Sequence, residues 1–93
     1  MSTLPIFKKY NDFKAECPGS LLLMRVGDFY EAFGQDARTV ANAIGLTITT
    51  MGSKRDPDPT PMCGFPYYAL EGYLGKLVAA GHRVAVCDAN RQD

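Results

Sequence analysis

The sequence predicts a small α/β (α+β) domain, a mixed β-sheet flanked by about three helices. Three observations carry this. Apolar residues recur at helical spacing in three separate segments, apolar or β-branched runs stand between those segments, and each helical segment stops at Pro-Gly or Gly. The order is helix, hairpin, helix, strand, loop, strand fragment, helix, strand, which closes as a sheet with helices packed against it. Strand order does not follow from spacing.

In the first segment Ser2 and Thr3 are N-cap candidates and Pro5 lies near the first turn. Ile6, Tyr10 and Phe13 follow at i, i+4, i+7, flanked by Phe7 and Cys17, and Pro18-Gly19 ends the helix. Lys8, Lys9 and Lys14 form its polar face. Leu21 to Met24 is apolar at every position, which suits a central strand covered on both faces. Gly27-Asp28 then reads as a two-residue type II′ turn, whose first central residue needs a positive φ. On the returning strand Phe29, Glu31 and Phe33 share one face, and Tyr30 and Ala32 the other.

Gly34-Gln35-Asp36 opens a second helix with Ala37, Val40, Ala41 and Ile44 inward and Gly45 closing it. Leu46 to Thr50 alternates and predicts a strand. Met51 to Pro61 predicts a loop, since its prolines resist both strand and helix. Pro61 to Pro66 is a short extended piece in which Gly64 permits close backbone approach. Pro66 opens a third helix with Leu70, Tyr73, Leu74, Leu77 and Val78 inward, and Gly81 ends it. His82 to Asp88 is the last strand, and Ala89 to Asp93 a polar tail.

Composition narrows the function. A chain of 93 residues is one domain, spanning 1–93, that buries roughly two-thirds of its unfolded surface. Lys+Arg and Asp+Glu are 10 each. A duplex binder usually carries a basic surplus, so nucleic-acid affinity here is expected to be weak or completed by a partner. Cys17, Cys63 and Cys87 are widely spaced, with no CxxC or HxxxH pair, so no metal site is expected and the thiols read as reduced. No apolar run nears the ~20 residues of a membrane span, and no signal-peptide core is visible. The expectation is a cytoplasmic chain without membrane contact, nucleoid-associated if bacterial.

No phosphate-binding loop, nucleophile elbow or HExxH motif is present. His82, after a helix-ending glycine, reads as structural. Asp28 and Glu31 are the one carboxylate pair that a metal-dependent nuclease could use, but three apart on a strand they point to opposite faces.

Four segments, in one order, resemble the N-terminal mismatch-recognition domain of the MutS mismatch-repair family. Gly27 to Phe33 is similar to its GDFYE-x-F signature, and Pro61 to Ala69 to its PMAG-x-PYHA segment. Tyr73 to Val78 resembles YL-x-KLV, and Val84 to Asp88 resembles VA-x-C followed by an acid. The resemblance implies the fold of MutS domain I and a DNA-binding, non-enzymatic role. It implies that Phe29 enters the minor groove and stacks on a mismatched or unpaired base while Glu31 hydrogen-bonds that base. Arg25, Lys54, Arg55 and Tyr68 are second-rank candidates for DNA backbone contact. Tyr68 stands where the family often has His, Cys63 where Ala is usual, and Val26 where Met is common.

The family's connector, lever, clamp and ATPase domains, which use ATP and Mg, have no counterpart in this sequence. No cofactor is therefore expected in this chain, and its partners are expected to be mismatched duplex DNA, further MutS domains or a second subunit. The alternatives are a protein-interaction or targeting module on the same fold, and the nuclease.

Overall fold

A computed structural model describes residues 5–51 and 59–90. Among these residues the chain forms a five-stranded mixed sheet with three α-helices, as expected for the α+β class. The elements are α1 (Pro5–Glu16), β1 (Leu21–Val26), β2 (Phe29–Phe33), α2 (Gly34–Ile44), β3 (Thr49–Met51), β4 (Thr60–Pro66), a 3₁₀ turn (Tyr67–Ala69), α3 (Leu70–Ala79) and β5 (Val84–Asp88). Strand order is β3-β4-β2-β1-β5. Only β1 and β5 run parallel.

Leu21 to Met24 are all buried because β1 is covered on both faces. Leu21 and Leu23 join Ala32, Cys63, Phe65 and the apolar sides of α2 and α3. Leu22 and Met24 join Phe33 and the α1 aromatics on the other face. In α1 it is Phe7, Tyr10 and Phe13 that are buried, with Ile6 and Cys17 at the margin. The inward stripe is turned by one residue from the expected one because Phe33 meets both Phe7 and Tyr10 edge-on, at 6.3 and 5.0 Å between ring centres.

The Gly27-Asp28 turn forms as expected, with Val26 opposite Phe29. Gly27 has φ +60°, and Asp28 is outside the positive region, which fits type II′ and excludes type I′. Past Met24 opposite Glu31 the β1–β2 pairing stops, because β2 turns into α2 at Gly34. Leu22 thereby loses its backbone partners on that side, and side chains replace them. Its N–H donates to Asp36 Oδ2 (3.0 Å), and its carbonyl accepts from the Tyr10 hydroxyl (2.6 Å). Lys14 Nζ stands 2.9 Å from Asp36 Oδ2 and also donates to the Ser20 carbonyl. Burial and the Asp36 charge raise the Tyr10 hydroxyl above its ordinary pKa, so it remains a donor.

Several expected boundaries move, each for a local reason. Gly45 closes α2 in the left-handed region, and Leu46 N–H returns to Ala41 O, so Leu46 serves the helix end and the strand starts at Thr49. The loop expected over Met51 to Pro61 is shorter at both ends, since Met51 pairs with Thr60 and Thr50 with Pro61. Pro61 is tolerated because it lies beyond the last β2–β4 pair, Phe33 opposite Met62, where no β2 carbonyl awaits its missing N–H.

Pro66 ends β4 opposite Phe29, so the third helix opens after it, as a 3₁₀ turn and then α3. Leu77 is buried, and Leu70 and Tyr73 partly so, while Val78 is exposed one residue past the inward stripe. His82 and Arg83 precede β5. The His82 N–H bonds Leu77 O at the end of α3, and Leu21 N–H bonds Arg83 O. Ala89 is buried and its N–H bonds Arg25 O, so the polar tail begins after it.

Candidate nucleic-acid interface

The β1–β2 hairpin and the corner after β4 carry four of the residues singled out from the sequence, Arg25, Phe29, Glu31 and Tyr68. Phe29 is the first residue of β2, immediately after a turn that leaves it beyond both hydrophobic clusters. It is flanked by Val26 on β1 and Pro66 on β4, and 47% of its surface is exposed. Phe33, four residues along the same face, is 2% exposed. One face of one short strand thus carries a core phenylalanine and an exposed one. Tyr30 faces the other way, 6.1 Å from Phe65, within the core under α2 and α3.

Glu31 lies between these phenylalanines, opposite Met24 on β1 and Gly64 on β4. It is half-buried, and burial raises its carboxyl above the ordinary 4.5. Among the described residues no hydrogen bond or ion pair reaches this carboxylate. Its neighbour across the sheet leaves room for it. A Cβ on Gly64 would stand 3.3 Å from Glu31 Cγ and 2.9 Å from the Tyr30 carbonyl oxygen.

The turn is held from outside. Asp28 O accepts the Tyr67 N–H at 2.8 Å, extending the β2–β4 contact past Pro66. Arg25 Nε donates to Gly27 O at 3.1 Å, and its guanidinium lies 4.5 Å from the centre of the Tyr67 ring. Arg25 is therefore occupied in bracing the turn against the 3₁₀ corner. Tyr68 is 78% exposed and meets Tyr67 edge-on at 5.7 Å. Beyond it a shallow groove is lined by Ala69, Gly72, Tyr73 and Lys76. Lys54 and Arg55 lie outside the described residues.

Tyr67 has no part in the expected site, although the structure makes it the brace of the turn. Its role depends on the register that sets Pro66 against Phe29, which periodicity does not encode. Asp28 is exposed in the turn, three residues from Glu31. Among the described residues there is no group of three or more His, Cys, Asp or Glu placed to hold a metal, and no helix long and apolar enough to cross a membrane.

Comparison with known proteins places this arrangement. The family model described as MutS domain I matches residues 4–93. The chain is similar to proteins named DNA mismatch repair protein MutS from several organisms. It is 44% identical over 84 residues to that of Methanothrix thermoacetophila, covering 90% of this chain and 10% of the relative. It is 46% identical over 84 residues to that of Desulfatibacillum aliphaticivorans, covering 90% and 9%. It is 48% identical over 84 residues to that of Flavobacterium johnsoniae, covering 90% and 10%. The chain spans about a tenth of the length of these curated relatives. A family match over nearly the whole chain, with relatives at this identity, means that the chain belongs to the MutS family and corresponds to its domain I.

Proposed function

We propose that this chain recognises mismatched, unpaired or distorted duplex DNA as part of DNA mismatch repair, with Phe29 as the wedge and Glu31 as its discriminating partner. The observation that carries the reading is a half-exposed phenylalanine at a braced turn, beside a carboxylate that receives no hydrogen bond among the described residues. An aromatic wedge entering the minor groove must unstack a base step, and that costs least where pairing is already broken. A mismatch is thus found as a soft point in the duplex. The carboxylate approaches a phosphate-rich surface, which is unfavourable unless a base donates a hydrogen bond to it. Glu31 accordingly lowers affinity for intact DNA and recovers part of the loss on a base with a free donor.

Magnitudes limit what one wedge does. A stacked aromatic contributes ~1–3 kcal/mol, or roughly five- to 150-fold in affinity. With a formal net charge of zero, the electrostatic attraction that usually dominates duplex binding is small. The domain therefore supplies selectivity, while affinity comes from further MutS domains or a second subunit. Tyr68 and Arg25 border the wedge, and of the two Tyr68 is free to meet the DNA backbone.

Fluorescence anisotropy on matched duplexes against duplexes with a G·T pair or one unpaired base tests the reading. The mismatch should bind more tightly, Phe29→Ala should abolish the difference, and Glu31→Ala should raise homoduplex affinity while narrowing the ratio. A Glu31→Ala chain that loses affinity for both duplexes equally would refute the discriminator role. The zero net charge favours one other reading, a protein-docking module. Equal affinity for matched and mismatched duplexes, at chain concentrations high enough to saturate a weak site, would select it.

A further inference from the structure

Among the residues around the hairpin, Gly64 is the one whose lack of a side chain has a visible consequence for the wedge and carboxylate pair. Asp28 O faces β4, where it accepts the Tyr67 N–H. By alternation Tyr30 is the next β2 residue whose backbone faces β4, and Glu31 opposite Gly64 is a non-hydrogen-bonded pair. Side chains at such pairs approach most closely. Across this pair only Glu31 has one, and its Cγ lies within 3.3 Å of the position a Gly64 Cβ would occupy. On its other side stands Met24, fully buried.

We infer that Gly64 is a positioning residue for recognition, the open seat over which the Glu31 side chain leans so that its carboxylate reaches the DNA face beside Phe29. Gly64 has no side chain with which to touch a base. It acts by leaving one rotamer of Glu31 unobstructed. A methyl group at 64 would press on Glu31 Cγ, which must give by a few tenths of an ångström, shifting the carboxylate away from the wedge. It would also crowd the Tyr30 carbonyl at 2.9 Å, so Gly64 additionally lets β2 and β4 approach. The two roles separate experimentally. The inference rests on the recognition reading above and adds a residue to it.

The test is a double-mutant cycle read as the mismatch-to-homoduplex affinity ratio, with thermal unfolding followed in parallel. In the 93-residue chain Gly64→Ala should lower the ratio roughly ten-fold, the factor carried by one hydrogen bond to a charged group. In a Glu31→Ala background the same substitution should leave the ratio unchanged. An equal loss in both backgrounds would show that Gly64 serves only the strand spacing, and would overturn the proposal. A second measurement needs no folded variant. Cross-relaxation between the Glu31 γ-protons and the Gly64 α-protons should be strong in the unmodified chain, and its absence would also overturn the proposal. If Phe29→Ala abolishes discrimination while Gly64→Ala leaves it intact, the positioning role fails and the recognition reading stands. If the unmodified chain does not discriminate at all, the recognition reading itself fails.

Discussion

Two of the carboxylates beside β1 are shielded from solvent, and the fold treats them oppositely. Asp36 takes over where β2 leaves the sheet, accepting the Leu22 N–H with the Lys14 ammonium 2.9 Å away and the Tyr10 hydroxyl at 3.2 Å. Glu31, opposite Met24, is half-buried and receives no hydrogen bond among the described residues. Burying a carboxylate without donors is costly, and folded chains rarely leave one so. The contrast teaches where the domain spends its donors. Away from the turn, where β2 runs into α2, the donors are spent on Asp36 and hold the fold, while Glu31, midway along β2, keeps its acceptors open among the described residues.

Substitutions can break or sharpen that contrast, and the largest effects belong to the end away from the turn. Phe33→Ala should cost about 3–5 kcal/mol of stability, since it empties the space between Phe7 and Tyr10. Phe29→Ala, four residues away and half-exposed, should cost under about 1 kcal/mol. Urea unfolding of both variants checks the pair, and similar losses would dissolve the distinction between core and wedge. Asp36→Ala should cost about 3 kcal/mol, because it leaves the buried Leu22 amide without its acceptor and the part-buried Lys14 ammonium without its counter-charge. A loss below about 1 kcal/mol in the same assay would mean that water replaces the carboxylate.

Tyr10→Phe should cost about 1–2 kcal/mol by leaving the Leu22 carbonyl unpaired. The smallest effect has the opposite sign. The carboxyl of Glu31 is raised above 4.5 when folded, so the native state holds its proton more tightly than the unfolded chain. Its burial cost is then fully present above the folded pKa and disappears as the pH falls below the ordinary 4.5. Glu31→Gln should therefore stabilise the domain slightly at pH 7, and the gain should fade near pH 4. Thermal unfolding across that range measures it, and a Glu31→Gln variant less stable at pH 7 would show that the carboxylate has a donor after all.

Much of this was legible from spacing, and the misses share one cause. Helical periodicity located all three helices, and the Gly27-Asp28 pair located the turn, because both are written in local residue order. The face shared by Phe29, Glu31 and Phe33 followed from strand alternation. Which of the two phenylalanines is exposed did not, since that depends on where α1 crosses the sheet. The motif resemblance supplied what periodicity could not. Asp36 read only as a helix start and Lys14 only as a solvated lysine, because their bond joins residues 22 apart. Pro61 read as a strand breaker, yet its neighbour strand ends first. Register between distant segments decides such cases, and no single segment encodes it.

The brace on the turn has a thermodynamic consequence. A two-residue turn tied by the Tyr67 amide and by the Arg25 side chain has few conformations left to lose. An aromatic presented on a loose loop would spend part of its stacking energy on ordering itself, and would spend it equally on matched and mismatched DNA. Held this way, the Phe29 backbone has little entropy left to lose. On the proposed reading the brace thus raises affinity for both duplexes alike, and the difference between them is left to the DNA and to Glu31.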